Sequence, residues 1–200
     1  KLTDWNIHSE VMMSHQRGGD FANSLIETYL LNEYKKPNDF KRFLYMGQVL
    51  QGDAVKTAIE AHRRDMPYCM GSLFWQIDDC WPVASWSSRD YYGRWKAAQY
   101  YARKAFDKIL VSPYVHNDSL SVNIVSDILK PTKGIFVMKV MTLDGKILTE
   151  KKMELNVKGN ASTKLFELRL DQLLKGEKKG NVVFYTAFNT KGKTYDNIAY

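Results

Sequence analysis

The spacing of apolar residues changes near position 110. Before that point they recur every three or four residues, the period of a helix buried on one side; after it they alternate. Phe21, Leu25 and Tyr29 share one face of a helix predicted over about 21–35, with Asp20 placed to cap its start and Pro37 following its end. A longer helix is predicted from Asn38 or Asp39, with a buried stripe of Phe40, Phe43, Leu44, Gly47, Leu50, Ala54, Ala58 and Ala61. Gly47 and Gly52 each cost about 1 kcal/mol of helix propensity, which points to a close neighbour along that face. His62, Arg63 and Arg64 close the helix at the negative end of its dipole. Pro67 introduces YCMGSLFWQI, a short and almost continuously apolar run that reads as a strand covered on both faces. A polar loop follows from Asp78 to Arg94, and WKAAQYYARKAFDKI forms another helix. Helix, strand, loop and helix make half of an α/β unit, too little to close a sheet alone.

Beyond Leu110 the period is two. LSVNIVSD (120–127), GIFVMKVMT (134–142), KILTEKKMELNV (146–157), ASTKLFELRL (161–170), NVVFYTAFNT (181–190) and KTYDNIAY (193–200) all read as strands. Asp144-Gly145 and Lys191-Gly192 sit where hairpin turns belong. Short strands in this density predict a β-sandwich of immunoglobulin-like type, although no Cys–Trp–Cys pattern accompanies it.

Composition narrows the function classes. With 44% hydrophobic and 13% aromatic residues the chain can bury a core, and no apolar run reaches the roughly 18 residues that span a bilayer. Its first residues, KLTDWNIHSE, carry no signal-peptide pattern, and the absence of an initial Met suggests a fragment or a processed chain. The net charge of +7 is spread over lysines between 130 and 193, beside turns or alternating with apolar residues. That distribution suits a solvated β-surface and argues against a nucleic-acid partner. Cys69 and Cys80 flank a predicted strand, too far apart for the ~7 Å a disulfide tolerates, so both are expected as free thiols. His8, His15, His62 and His116 lack metal-ligand spacing, so no metal is expected.

The chemistry concentrates in GSLFWQIDDCWPVASWSS, residues 71–88. Three tryptophans, Trp75, Trp81 and Trp86, crowd around Asp78 and Asp79. A core has no need of so many indole N–H groups, each of which requires a partner once buried. No GxSxG elbow is present, no histidine lies near either cysteine in sequence, and Gly18-Gly19 is a turn rather than a phosphate loop. What remains is an aromatic and carboxylate loop after a buried strand, where α/β barrels carry their active sites. Aromatic faces beside a few polar groups suit a sugar. The plainer readings compete: Trp75 as core, Asp78 and Asp79 as turn caps, Trp81-Pro82 as a brace, Trp95 as helix packing.

The segment AHRRDMPYCMGSLFWQIDDCWPVASWSSRDYYGRWKAAQYYARKAF, residues 61–106, resembles the end of the barrel domain in β-mannosidases of glycoside hydrolase family 2. HSEVMMSHQRGGDFANSLIETYL and YMGQVLQGDAVKTAIEAHRR resemble the preceding helices, and NDSLSVNIVSD the entry to an immunoglobulin-like domain. The resemblance implies an α+β two-part chain: residues 1–110 as the C-terminal portion of a (β/α)8 barrel, and 111–200 as an immunoglobulin-like β-sandwich. It implies that Trp75, Asp79 and Trp81 belong to the substrate site, with Trp75 as the wall for a terminal mannose and Asp79 orienting neighbouring donors. Trp81 and Trp86 would hold the loop; Asp78 departs from the asparagine expected at its position.

Such enzymes retain configuration using two glutamates with carboxyls about 5–5.5 Å apart. Ser9-Glu10 echoes the nucleophile motif, but no strand-like run precedes it and no aromatic-glycine pair follows. Glu27, Glu33 and Glu60 fall within predicted helices. No catalytic residue is therefore expected in this chain, and the pair would lie upstream of Lys1. The implied substrate of the parent enzyme is a β-mannoside oligosaccharide or glycoconjugate, with no cofactor, no metal and no membrane. Periplasmic, secreted or lysosomal location fits the resemblance, and copies of the fragment are expected to associate through exposed barrel surface. Two other readings stay open: a non-catalytic carbohydrate-binding or interaction module, for which Tyr114, Phe166, Phe184, Tyr185 and Phe188 are the only aromatic candidates, and a supporting domain without a ligand.

Overall fold

The computed structural model describes residues 6–200. The described residues form two compact units, one from 6–59 and Leu73–Ala105, the other from Glu60–Ser72 and Phe106–Tyr200.

The first unit is helical. Helix α1 (Glu10–Ser14) is capped by Ser9, whose hydroxyl accepts from the Met12 amide at 3.4 Å. Helix α2 (Ala22–Glu33) begins without a side-chain cap. Asp20 does not serve as expected, because the Ala22 amide already bonds the Gly19 carbonyl at 3.1 Å in the turn made by Gly18-Gly19. Phe21, Leu25 and Tyr29 share their predicted face, but that face is exposed; Asn23 and Leu30 are the buried positions. Asp39 starts α3 (Phe40–Arg64), its carboxylate accepting from the Arg42 amide at 2.8 Å.

The stripe along α3 is turned from the predicted one. Leu44, Ala54 and Ala58 face solvent, whereas Val55 and Ile59 pack on Ala102 and Ala105 of α4 (Ala97–Ala105) and on Phe74. The branched side chains at 55 and 59 remove more apolar surface from water than the alanines beside them, and they take the buried side. At Gly52 a Cβ would stand 2.8 Å from the Tyr101 ring, so the expected close neighbour is α4.

The second unit contains the sandwich. Strands β1 (Ile109–His116), β2 (Ser119–Ser126) and β5 (Ala161–Arg169) form one antiparallel sheet, in the order β1-β2-β5. Strands β3 (Thr132–Thr142), β4 (Ile147–Val157), β6 (Val182–Thr190) and β7 (Lys193–Ala199) form the other, in the order β4-β3-β6-β7. This three-plus-four arrangement is immunoglobulin-like, as the alternation predicts. Each of the six strands predicted beyond Leu110 appears within two residues of its expected bounds.

Besides α1 and the 3-10 turn Lys179–Asn181, the sequence pattern misses two elements. One is β1, since the run after Trp95 reads as helix through Ile109, whereas α4 stops at Ala105. Pro113 disguises the strand further, and it is tolerated because β1 lies at a sheet edge. The other is α5 (Leu170–Leu174), whose Leu170 and Leu173 close one end of the core.

Inner faces of both sheets supply the core: Val111, Leu120, Val122 and Ile124 from one, Phe136, Met138, Val140, Phe184 and Phe188 from the other. Phe136 meets Phe166 edge to face at 5.7 Å. The outer edge β4 alternates Glu150, Lys152 and Glu154 outward, which discourages strand addition. Lys191 and Gly192 both take positive φ, as a two-residue hairpin turn of the mirror-image kind requires. Phe188→Ala should destabilise the sandwich by about 3–5 kcal/mol, because a fully buried ring leaves a cavity that packed sheets cannot close. Urea unfolding followed through the β-sheet circular dichroism signal checks this; a change below 1 kcal/mol, roughly a surface-substitution effect, would contradict the packing.

Candidate functional site

The apolar run before the tryptophan loop, expected as a strand, forms no sheet strand among the described residues, because none of them places a partner strand beside it. Its side chains still alternate. Phe74 packs on Val55, Ile59, Ala102 and Ala105, while Leu73 (101% exposed), Trp75 (73%) and Ile77 (67%) stand on the opposite, uncovered face. The run is apolar on both faces, as the sequence indicates, yet only one face is covered. The Trp75–Gln76 peptide is cis.

After Ile77 the chain loops out and returns alongside itself. The amides of Ser88 and Arg89 donate to the carbonyls of Gln76 and Ile77 at 2.9 and 2.8 Å, and the Lys96 amide donates to the Ser88 carbonyl at 2.9 Å. Asp79 fills the inside of this loop. Its side chain is 2% exposed, and its two oxygens accept from the hydroxyls of Ser85 and Ser87, each at 2.6 Å. The Lys96 ammonium lies 3.2 Å from the same carboxylate and donates to the Ser87 hydroxyl at 2.7 Å. Burial by itself would raise the Asp79 pKa. The hydrogen bonds from Ser85, Ser87 and Lys96, together with the lysine charge, outweigh it and hold the carboxyl below its ordinary 3.8.

The other side of the loop is tied to the turn after α1. His15 Nδ1 is hydrogen-bonded to the Pro82 carbonyl at 2.7 Å, and the Ala84 amide donates to the His15 carbonyl at 2.8 Å. The Trp81 ring lies 5.0 Å from the imidazole. Trp86 is 39% exposed, and its backbone carbonyl accepts from Gln51 at 2.6 Å. Asp78 is exposed and meets Arg89 through a backbone bridge.

Of the expected site residues, Trp75 is thus presented outward, Asp79 is enclosed by donors, and Trp81 braces the loop from the His15 side. Ser85, Ser87, Lys96 and His15 escape a sequence reading. They lie 6, 8, 17 and 64 positions from Asp79 (85−79, 87−79, 96−79, 79−15), and no motif marks them as its surroundings.

The glutamates have other occupations. Glu10 opens α1 in an exposed position, and Glu27 faces His8 at 3.0 Å. Glu60 is buried, accepting from Ser112 and Asn197. Among the described residues no group of three metal-type ligands comes together. Cys69 and Cys80 are free thiols.

Comparison with known proteins shows which family the chain belongs to. Residues 118–200 match the mannosidase Ig/CBM-like domain model. The β-mannosidase of Capra hircus is 30% identical over 188 residues, which are 86% of this chain and 21% of that protein. β-Mannosidase A of Aspergillus terreus is 29% identical over 77% of this chain and 18% of its own length. The crystal structure of the β-D-mannosidase from Dictyoglomus thermophilum superposes with a TM-score of 0.84 at 30% identity, covering 94% of this chain and 23% of that one. By sequence and by fold, the chain is a fragment of the family 2 β-mannosidase type. It spans about a fifth of the length of the curated relatives it matches. The exo-chitosanase CsxA of Amycolatopsis orientalis, at 18% identity and a TM-score of 0.76, shares the fold of this β-mannosidase fragment.

Lys96→Met should release the Asp79 loop, since a buried carboxylate stripped of its cation costs about 3–5 kcal/mol. The pH dependence has a definite sign. A carboxyl held below 3.8 contributes its stability fully above that value and loses it as pH falls through the lower folded value. Acid titration of the loop, followed by tryptophan fluorescence, should show this loss, and Asp79→Asn should abolish it. An unchanged acid transition in that variant would remove Asp79 as the cause.

Proposed function

We propose that these residues are the C-terminal part of a retaining, exo-acting β-mannosidase. They supply one wall of the sugar pocket together with a supporting β-sandwich. The end of the barrel domain runs to about residue 110, and the reacting glutamates are not among these residues. One observation carries the reading. The run 73–77 buries its even side, through Phe74, against helices, as a barrel strand does with its outer face, and leaves Trp75 on the side a barrel turns inward. Trp75 then stands at the strand end where barrel loops converge, and its indole offers an apolar face to the C–H face of a terminal mannose. Asp79 acts through the loop: ionised and enclosed, it fixes Ser85, Ser87 and Lys96 and so the path from Ile77 to Ser88. Trp81 would complete the site from the His15 side.

The substrate on this reading is a β-mannoside oligosaccharide or glycoconjugate. The chemistry is a double displacement on two carboxylates, which needs no cofactor. The uncovered face at Leu73, Trp75 and Ile77 is also where two copies of the isolated fragment would associate. A carbohydrate-binding module on the sandwich finds less support. Phe184 and Phe188 are fully buried, Phe166 packs against the core, and Arg64 covers the Tyr114 ring at 4.1 Å.

Purified 1–200 should not hydrolyse an aryl β-mannoside above background; turnover that disappears in Glu10→Gln would overturn the exclusion of that glutamate. In the full-length enzyme, Trp75→Ala should lower kcat/KM by on the order of 10²-fold through lost positioning. Unaltered mannoside kinetics in that variant would defeat the sugar-wall reading.

A further inference from the structure

The turn after α1 carries a side chain that the sugar-wall chemistry does not use. Residues 15 and 16 run beside the tryptophan loop within the same compact unit: the Ala84 amide donates to the His15 carbonyl at 2.8 Å, and Gln16 forms a parallel bridge with Ala84. The turn that follows is closed by the Gln16 carboxamide, whose Oε1 accepts from the Gly18 amide at 2.7 Å. The imidazole is held as firmly as its backbone. Its Nδ1 meets the Pro82 carbonyl at 2.7 Å, and the ring lies 5.0 Å from that of Trp81, inclined by 31°.

These contacts fix the tautomer. A carbonyl oxygen only accepts, so the proton of a neutral His15 sits on Nδ1 and the lone pair on Nε2. Nε2 meets no hydrogen-bond partner among the described residues and is not one of their buried unpartnered atoms, so it opens outward. The same holds for the indole N–H of the half-buried Trp81. One acceptor, one donor and an indole face therefore stand together, their directions set by the backbone ties behind them. A brace uses only Nδ1 and the ring contact. A pyranose uses the remainder, because its C–H face is apolar and its hydroxyls require partners once water is displaced.

We infer that His15 is a substrate-binding residue, its Nε2 accepting a hydrogen bond from a hydroxyl of the terminal mannose while Trp81 offers its ring and N–H to the same sugar. The inference rests on the mannosidase reading and extends it from the tryptophan wall to a polar contact. The mannose ring is the partner, rather than the aglycone, because an exo-acting pocket encloses that ring and must satisfy its hydroxyls.

The full-length enzyme tests this with two substitutions and a set of aryl β-mannosides that each lack one ring hydroxyl. His15→Asn retains an amide donor for the Pro82 carbonyl, near the place of Nδ1, but has nothing at Nε2; His15→Ala removes both. His15→Asn should keep the tryptophan fluorescence of the loop and lower kcat/KM for the parent mannoside by about tenfold. In the wild type one deoxy-mannoside should lose about tenfold against the parent sugar. In His15→Asn that same pair should differ by no more than about twofold, because a contact already deleted cannot be lost again. The ratio is read on a single preparation, so it stands even where a variant folds incompletely. Wild-type kinetics in His15→Asn beside a loss in His15→Ala would show that the Nδ1 tether is the whole role and overturn the inference. Deoxy ratios left unchanged by His15→Asn would overturn it equally. A full-length wild type inactive on β-mannosides would defeat the mannosidase reading itself, and the inference with it, a result separable from the others.

Discussion

An extended backbone must give its amides and carbonyls to another strand, and this chain divides according to where that demand is met. In the sandwich all seven strands find partners, and two sheets close over a core of valines, isoleucines and phenylalanines. At 73–77 the chain carries apolar side chains on both sides and lies beside no strand among the described residues. Backbone polar groups are obligatory hydrogen-bonding groups, so a run of this composition is written for a sheet. The helices α3 and α4 cover its Phe74 side and thereby determine which way Trp75 points. The uncovered side is the one that presents Leu73, Trp75 and Ile77.

The loop after this run shows how a polar interior can replace a hydrophobic one. Crowded indoles suggest that tryptophan packing holds residues 78–88 in place. Trp81 does lean on His15 and Trp86 is partly covered, but the interior belongs to Asp79 with its two serines and lysine. A carboxylate with three donors constrains direction as well as distance, which a ring contact does not. The loop therefore keeps its path with little apolar surface to bury.

Alternation made the sandwich legible, because each strand of an antiparallel sheet with one wet face announces its register in period two. The hairpin at Lys191-Gly192 was equally open to reading. β1 was not, since only three residues separate it from a helix and it carries Pro113. The phase of α3 was misread for a related reason: alanines fit either side of a helix, and only the partner, here Ala102 and Ala105, shows which side is chosen. At the site, Trp75, Asp79 and Trp81 stood out as residue types in an unusual crowd. The donors that decide what Asp79 does are ordinary serines and a lysine, meaningful only once the loop has folded back. The buried hydrogen bonds of Glu60 are hidden more deeply, because Ser112 and Asn197 lie 52 and 137 positions from it.

The contact between Gly52 and Tyr101 has a consequence for descent. Helices α3 and α4 approach so closely there that even a methyl group would press on the ring. The two positions are consequently one unit of inheritance. A relative that acquires a side chain at the first must lose bulk at the second, and lineages should record the two changes together or not at all.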